Sequence, residues 1–510
     1  MKKEGYILGE LTKIFGKKKK IDSGYANVLY ALYSDFFNFS YTDSSWINKD
    51  RLFCDNEEMI LAFNKILKIE KNKSYNLPLS AAIGLSMGCN KISGFIKENI
   101  KKNNILTYKS YVVCDFEKLT TGDYLNSALY TKDKDIDNLV VVAIKHSEEK
   151  NTTIASIYEE MGFDVTNIKN NKIRTITDAL KETKKQKNPL LIIVNCVDLE
   201  IEKNSEPIDL EIEVRTRTNE VYKKWLLEYD KIIDSREQNT LDIINYLKSL
   251  RIAIDLENTE FKLDTNYENT IIKSSDKIFS ILLKKSKYIT LVNIKDERLA
   301  SNIACGLSLS GMKPSVPITN FLNVSDIINR CQQYELPVNY LLHDTTSEVY
   351  ANNLNVFYPS DMHEVIGSWS SIIKQDITSL MILSDKETTL IKNTNLKYVK
   401  YGAYMIKKEK EVLNGIIIAS GEEVKLALGV AGLLEKENIF MRVVTVPCPN
   451  LLLKQVKYEK ELLLRSVKIF ALDKNLSVIN NKFTSSNYCL ISSDLGLDKV
   501  KERIKEEFYS

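Results

Sequence analysis

The chain has 510 residues, 44% of them hydrophobic and 27% charged, a balance that fits a globular protein of about three domains at roughly 150 residues each. Its 71 Lys and Arg against 68 Asp and Glu leave a formal charge of +3, too small a surplus to draw the whole chain onto nucleic acid or an anionic membrane. With 18 glycines and 3 histidines there is little material for a multi-histidine site or a series of glycine-rich phosphate cradles.

The opening Met-Lys-Lys-Glu-Gly-Tyr-Ile is not followed by an apolar stretch and cleavage site, so no export is expected and the chain reads as cytoplasmic. Its strongest apolar runs, Leu139 to Ile144 and Leu190 to Val194, fall far short of the roughly 20 residues that span a bilayer. Neither a membrane nor a nucleic acid is expected as a partner. Cys54, Cys89, Cys114, Cys196, Cys305, Cys331, Cys448 and Cys489 lack CxxC spacing and read as reduced core thiols. The basic run Lys17 to Lys20 reads as a solvated loop.

In chain order, Tyr111 to Asp115 predicts a strand, followed by strands at Leu139 to Ile144, around Phe163 to Val165, and at Leu190 to Val194. Between them the spacing is helical, most clearly at Ile173, Ile176 and Leu180. From Glu200 to Glu237 the composition is charged with little strand signal, which predicts an inter-domain linker, and a helical stretch follows around Ile243 to Leu250. A second block carries a strand at Tyr288 to Val292, helices at Ala300 to Leu309 and Val324 to Gln333, and strands at Tyr340 to Leu342 and Leu380 to Leu383. The third begins near Tyr398 and contains a βαβ unit: strand Gly415 to Ala419, helix Glu422 to Lys436, strand Met441 to Val446. Ser420 and Glu423 have the spacing of a capping box at the start of that helix. Alternating apolar runs and amphipathic stretches predict an α/β fold with mostly parallel sheets and ligands at the carboxyl ends of the strands.

The segment from Asp296 to Gly311 resembles the transketolase stretch R-E-F-G-M-x-x-I-A-N-G-I-S-L-H-G, most specifically in Ile-Ala-x-Gly-x-Ser-Leu-x-Gly. Tyr358-Pro-Ser-Asp361 is similar to that family's R-P-x-D, Ala419-Ser-Gly-Glu-Glu-Val424 to A-T-G-S-E-V, and Arg442-Val-Val-Thr-Val-Pro447 to A-R-V-V-S-M-P. Ser23-Gly24-Tyr25 stands where the family has S-G-H-P-G, and Ser45-Trp46 with Asp50-Arg51 resembles S-W-x-x-R-D-R-F. The likeness covers nearly the whole chain. Deoxyxylulose phosphate synthase and the pyruvate dehydrogenase first component share the A-T-G-S-E-V region but fit the Glu297 segment less well.

The resemblance implies three doubly wound, mostly parallel-sheet α/β domains. These would be a shortened pyrophosphate-binding domain at 1–198, a charged linker with a helix at 199–260, a pyrimidine-binding domain at 261–395 and a C-terminal domain at 396–510. It also implies thiamine diphosphate and Mg2+ as cofactors, sugar phosphates as substrates, and a homodimer or a pairing with a paralogue. The family's reaction moves a two-carbon ketol unit between sugar phosphates in the pentose phosphate pathway.

Residue by residue, Glu297 matches the carboxylate that hydrogen-bonds the cofactor's aminopyrimidine and promotes deprotonation of the thiazolium. Such a group, buried against the cofactor, would have a raised pKa; the plainer reading is a surface Glu at a helix start. Phe321 is kept near the position that stacks on the pyrimidine, and Val324 stands at that position itself. Asp115 matches the metal-binding Asp of G-D-G, but Cys114 and Phe116 replace both glycines, and Asp115 reads equally as a strand-end residue capping the next turn. The second ligand, expected in N-G-I, has no counterpart in Lys145 to Lys150, with Asn151 only a weak substitute.

Tyr25 replaces a histidine, Asp55-Asn-Glu-Glu58 replaces S-N-G-H, and Asn76 to Ser80 is what remains of T-T-G-P-L-G-Q-G. G-E-D-G-P-T-H-Q-P is lost between Thr346 and Asn353, and Asp385 and about Asp264 stand where the family has phosphate-binding arginines. His343 and Asp344 match a strand-end H-D, whereas His146 and His363 match nothing in the family. These exchanges predict a transketolase-family protein with weak or absent activity, kept as a dimeric binding or regulatory module. The alternative is a working, divergent transketolase that uses Glu297 and Asp115; a different thiamine enzyme is a third reading.

Overall fold

Seven consecutive buried residues, Leu139–Lys145, form strand β3, the centre of the first sheet. The computed structural model describes residues 2–69, 74–99, 105–132, 134–146, 152–197, 209–234, 294–342, 354–384, 389–480 and 487–509. The helix expected around Ile243 to Leu250, the strand at Tyr288 to Val292, and Asn151, Asp264, His343, Asp344 and Asp385 all lie outside these residues. The chain divides into two compact units, Met1–Lys248 with Leu299–Met312, and Ser249–Arg298 with Lys313–Ser510.

In the first unit β3 pairs in parallel with β2 (Ser110–Asp115) and β5 (Leu190–Asn195), whose β-branched residues are buried on both faces. The edges are β1 (Arg51–Cys54) and β4 (Asp164–Ile168), giving the order β1-β2-β3-β5-β4. Only β1 was not visible in the sequence, because four residues are too few to show a period. The helix Ile173–Leu180 buries Ile173, Ile176, Ala179 and Leu180, as its spacing predicts.

The charged stretch expected as a linker instead holds a 25-residue helix, Leu210–Asp234, that belongs to the first unit. Leu210, Val214 and Thr218 recur every four residues and are fully buried, so one stripe docks and the charged majority is the wet face. The Arg217 guanidinium donates to the carbonyls of Tyr33 (3.1 Å) and Phe37 (2.6 Å), and the Trp225 indole donates to Ile105 O at 2.8 Å.

The second unit contains two sheets. Strands β6 (Ser315–Ile318), β7 (Asn339–Leu342), β8 (Asn355–Phe357) and β9 (Ser379–Ile382) are all parallel in the order β6-β7-β9-β8. Strands β10 (Tyr404–Lys407), β11 (Gly415–Ala419), β12 (Met441–Thr445), β13 (Lys468–Ala471) and β14 (Tyr488–Leu490) follow the order β10-β12-β11-β13-β14, with only β10 antiparallel. One apolar cluster joins Leu341, Phe357, Trp369 and Met381 of the first of these sheets and its helix to Ile417, Val443 and Phe470 of the other. The eight cysteines are free thiols, six of them buried.

Where these two sheets meet, the helix Met362–Lys374 carries a buried polar node. Asp361 caps that helix by accepting from Glu364 N–H (3.1 Å), and also accepts from Ile391 N–H (2.9 Å) and the Thr394 hydroxyl (2.6 Å). Glu364, fully buried, accepts from Ser360 N–H (2.8 Å), Ser360 Oγ (2.7 Å), Tyr404 OH (2.8 Å) and Thr445 Oγ1 (2.8 Å). Burial and then Asp361 push its pKa up, and the donors from Ser360 and Thr445 pull the other way.

The expected capping box does not form. The helix begins at Glu423, no side chain caps it, and the Ser420 hydroxyl donates to Asp473 instead. Burial, then the Asp473 carboxylate and Glu422, raise the Glu423 carboxyl from its usual 4.5 to about 7. Because the folded state holds this proton more tightly than the unfolded chain, its contribution is present below about pH 4.5 and lost as pH rises to about 7. Glu423→Gln is therefore expected to leave the melting temperature unchanged at pH 5 and to raise it by about 2–4 °C at pH 8, an effect already reduced for partial solvent exposure. Thermal scans across that range check it, and equal slopes for both proteins would refute it.

Candidate functional site

β1 and β2 run in parallel with Cys54 opposite Val113, so the chain leaving β1 at Asp55 comes out beside the end of β2 at Asp115. A cavity of about 330 Å3 opens there, lined by Tyr25, Asp55, Glu57, Glu58 and Asp115 together with Asn56 and Asn76. The Tyr25 hydroxyl donates to Asp55 Oδ1 at 2.5 Å, while Asp55 Oδ2 accepts from the Asp115 amide (3.1 Å) and pairs with Lys118 Nζ (3.0 Å). Burial and the neighbouring Asp55 raise the Asp115 carboxyl above its usual range, and burial with the same Asp55 pushes the Tyr25 phenol far up.

The helix Ser23–Ala31 points its N-terminus at this region, and its first amides are already engaged: Asp22 Oδ1 accepts from Gly24 N (2.8 Å) and Tyr25 N (3.2 Å). Gly24 is required here, because a Cβ would meet Cys196 Sγ at 2.6 Å and Ile144 Cγ2 at 2.7 Å. Half-exposed His146 lies with Nε2 3.0 Å from Asp22 Oδ2. Phe116 is buried, and the ammonium of buried Lys145 lies 5.1 Å from its ring centroid.

The remaining sequence-predicted residues lie in the second unit. Glu297 is the first residue of the helix Glu297–Leu309, and its carboxylate accepts from Thr319 N–H (2.6 Å), Thr319 Oγ1 (2.7 Å) and Asn323 Nδ2 (3.3 Å). Those donors flank Phe321, which is 3% exposed, and adjoin Val324, which is fully buried. Glu297, Phe321 and Val324 thus share one neighbourhood at the end of β6, whereas Asp115 belongs to the first unit. Tyr25 and Asp55 were legible only as departures from a motif. That they converge on Asp115 follows from the β1–β2 pairing, and β1 was the one strand of that sheet the sequence did not show.

Three α/β sheets with an acidic pocket at the strand ends define an α/β protein with a strand-end site. Residues 402–507 match the family model described as "Transketolase-like TK C-terminal domain". The transketolase of Streptococcus pyogenes is 34% identical over 116 residues, 22% of this chain and 16% of that protein. That of Bacillus subtilis is 32% identical over 155 residues, 29% of this chain and 22% of that protein. The matched stretch therefore spans less than a quarter of either relative. Among solved structures, transketolase from Leishmania mexicana superposes with a TM-score of 0.75 at 16% identity, over 96% of this chain and 93% of that one. Transketolase from Campylobacter jejuni gives 0.70 at 19% identity, over 94% and 93%. Residues 402–507 are thus a transketolase-like C-terminal domain, and the fold of the chain is that of the transketolases. No helix among the described residues is long and apolar enough to cross a membrane.

The family generally depends on thiamine diphosphate and a divalent metal. The residues at Asp115 do not fit that pair. The cavity lining has four carboxylates, Asp55, Glu57, Glu58 and Asp115; Lys118 pairs with Asp55 and Lys19 with Glu58, and both cations are thereby engaged by carboxylates. Each carboxylate left unpaired repels a diphosphate by on the order of 4 kcal/mol at 4 Å before screening, and one divalent ion offsets only two such charges. The helix amides that would receive a phosphate already serve Asp22. Among the described residues no group of three or more His, Cys, Asp or Glu is placed to hold a metal ion.

Proposed function

We propose that this transketolase-family chain has lost two-carbon ketol transfer or retains it only weakly, and acts as a binding or regulatory module in the cytoplasm, as a homodimer or paired with a paralogue. The observation that carries this reading is the acidic Tyr25–Asp55–Asp115 pocket at the strand ends, because Asp115 is the residue that the resemblance matches to the family's metal-binding Asp. The charge there opposes the cofactor: among the described residues, the two lysines at the pocket, Lys19 and Lys118, are paired to Glu58 and Asp55, which leaves the carboxylates of Glu57 and Asp115 without an ion pair to a lysine.

A divergent working transketolase is favoured by one observation, the placement of Glu297 beside the turn that carries Phe321. In that reading Glu297 would serve the aminopyrimidine and Asp115 the Mg2+, with pentose phosphates as substrates. The full chain, supplied with thiamine diphosphate, Mg2+, xylulose 5-phosphate and ribose 5-phosphate, separates the two. Turnover no higher than a Glu297→Ala control is expected. Turnover that Glu297→Ala abolishes would establish the working enzyme instead.

A further inference from the structure

Every strand of the β6-β7-β9-β8 sheet opens on a small polar residue: Ser315, Asn339, Ser379 and Asn355. They are register partners, Ser315 opposite Asn339, Asn339 opposite Ser379, and Ser379 opposite Asn355, so one polar row crosses the base of the sheet and points to one face. Two residues on, the same face carries Leu341, Met381 and Phe357, which share an apolar cluster with Trp369 and Ile372 of the helix Met362–Lys374. Three members of the row are enclosed, Asn339 and Asn355 at 1% exposure and Ser379 fully buried, while Ser315 on the edge strand is half-buried.

Asn355 is satisfied, donating to Gln375 Oε1 at 2.7 Å and accepting from Lys454 Nζ at 3.0 Å. Its neighbours are not: Asn339 Nδ2, Asn339 Oδ1 and Ser379 Oγ have no hydrogen-bond partner in the protein. Three buried orphan atoms on two adjacent strands are unusual, since nearly all buried polar atoms are paired with protein or with ordered water. The missing partner must be neutral, small, and both donor and acceptor, because the amide offers one of each, the hydroxyl offers both, and apolar side chains close the space beyond. Adjacent strands lie about 4.8 Å apart, so one such molecule can reach both side chains.

We infer that the base of this sheet is a built hydration site, with internal water bridging Asn339 and Ser379. The water completes a polar layer from Ser315 to Lys454 beneath the strands. It ties β7 to β9 at the base of the sheet. The inference is independent of whether the chain retains catalysis.

A high-resolution crystal structure of the full chain, with thermal scans of Ser379→Ala and Asn339→Leu, tests it. A density peak within hydrogen-bond distance of both side chains is expected, together with a fall of a few degrees, about 2–5 °C, in melting temperature for Ser379→Ala, which removes one of the water's partners. No density at a well-ordered Asn339 would overturn the inference. A rise in melting temperature for either variant would do the same, because deleting an orphaned polar group from a dry site stabilises it. Ser379→Ala is small enough to fold even if Asn339→Leu does not, so the melting comparison stands on it alone.

Discussion

Replacing Glu364 by alanine is expected to destabilise the second unit by about 3–5 kcal/mol, lowering its melting temperature by roughly 10 °C or more. The carboxylate is the common acceptor for Ser360 N–H, Ser360 Oγ, Tyr404 OH and Thr445 Oγ1. Truncation strands these donors at a site with no exposure to solvent, where each unmade hydrogen bond costs on the order of 1–3 kcal/mol. Tyr404 cannot simply turn away, since its oxygen also accepts from the Asn395 amide at 3.0 Å. Chemical denaturation monitored at aromatic residues of the second unit measures the loss. A change under about 1 kcal/mol would mean that water enters and serves the donors, and that the node does not hold the two sheets together.

Gly306→Val is expected to abolish the folded first unit, and Gly306→Ala to cost about 3 kcal/mol or more. A Cβ at Gly306 would lie 1.9 Å from Ala81 O and 2.5 Å from Leu85 N, both backbone atoms of the helix Leu79–Asn99, which cannot move aside as a side chain would. Gly84 on that helix mirrors it, with a Cβ only 2.1 Å from Ile303 O. The two helices cross backbone to backbone. Gly94 on the same helix has nothing within 4 Å, so Gly94→Ala should be neutral or stabilising by up to about 1 kcal/mol through helix propensity. Limited proteolysis and soluble yield of the three variants check this, and a well-folded Gly306→Val would contradict the close crossing.

The same glycine shows what the sequence could and could not disclose. In the Ile-Ala-x-Gly-x-Ser-Leu-x-Gly pattern Gly306 is recognisable as a motif position, but its physical reason, contact with Ala81, joins segments more than 200 residues apart. Strands buried on both faces, such as Leu139–Lys145 and Gly415–Ala419, were legible because their apolar runs are continuous. The helix Leu210–Asp234 was not, because three buried positions in 25 leave a composition that looks like a linker. Ser420 and Glu423 had the spacing of a cap, yet the hydroxyl found a buried carboxylate, Asp473, 53 residues away, and tertiary contact overrode the local signal.

At the site, the resemblance implies that Tyr25, Asp55 and Phe116 stand in place of family residues. It did not disclose that the first two would meet Asp115 in one hydrogen-bonded set. Losses of single ligands would only weaken a cradle, whereas carboxylates gathered at the strand ends reverse its charge. Glu297, by contrast, stands at a helix start with Phe321 close by, while Val324 occupies the position where the resemblance implies an aromatic.

Calorimetric titration of the purified full chain with thiamine diphosphate, in the presence and absence of Mg2+, addresses the reversal of charge most directly. A folded protein that shows no binding heat at millimolar cofactor, with or without the metal, is the expected result. Magnesium-dependent binding near micromolar would contradict it, and would mean that the diphosphate is held by residues other than the acidic pocket around Asp115.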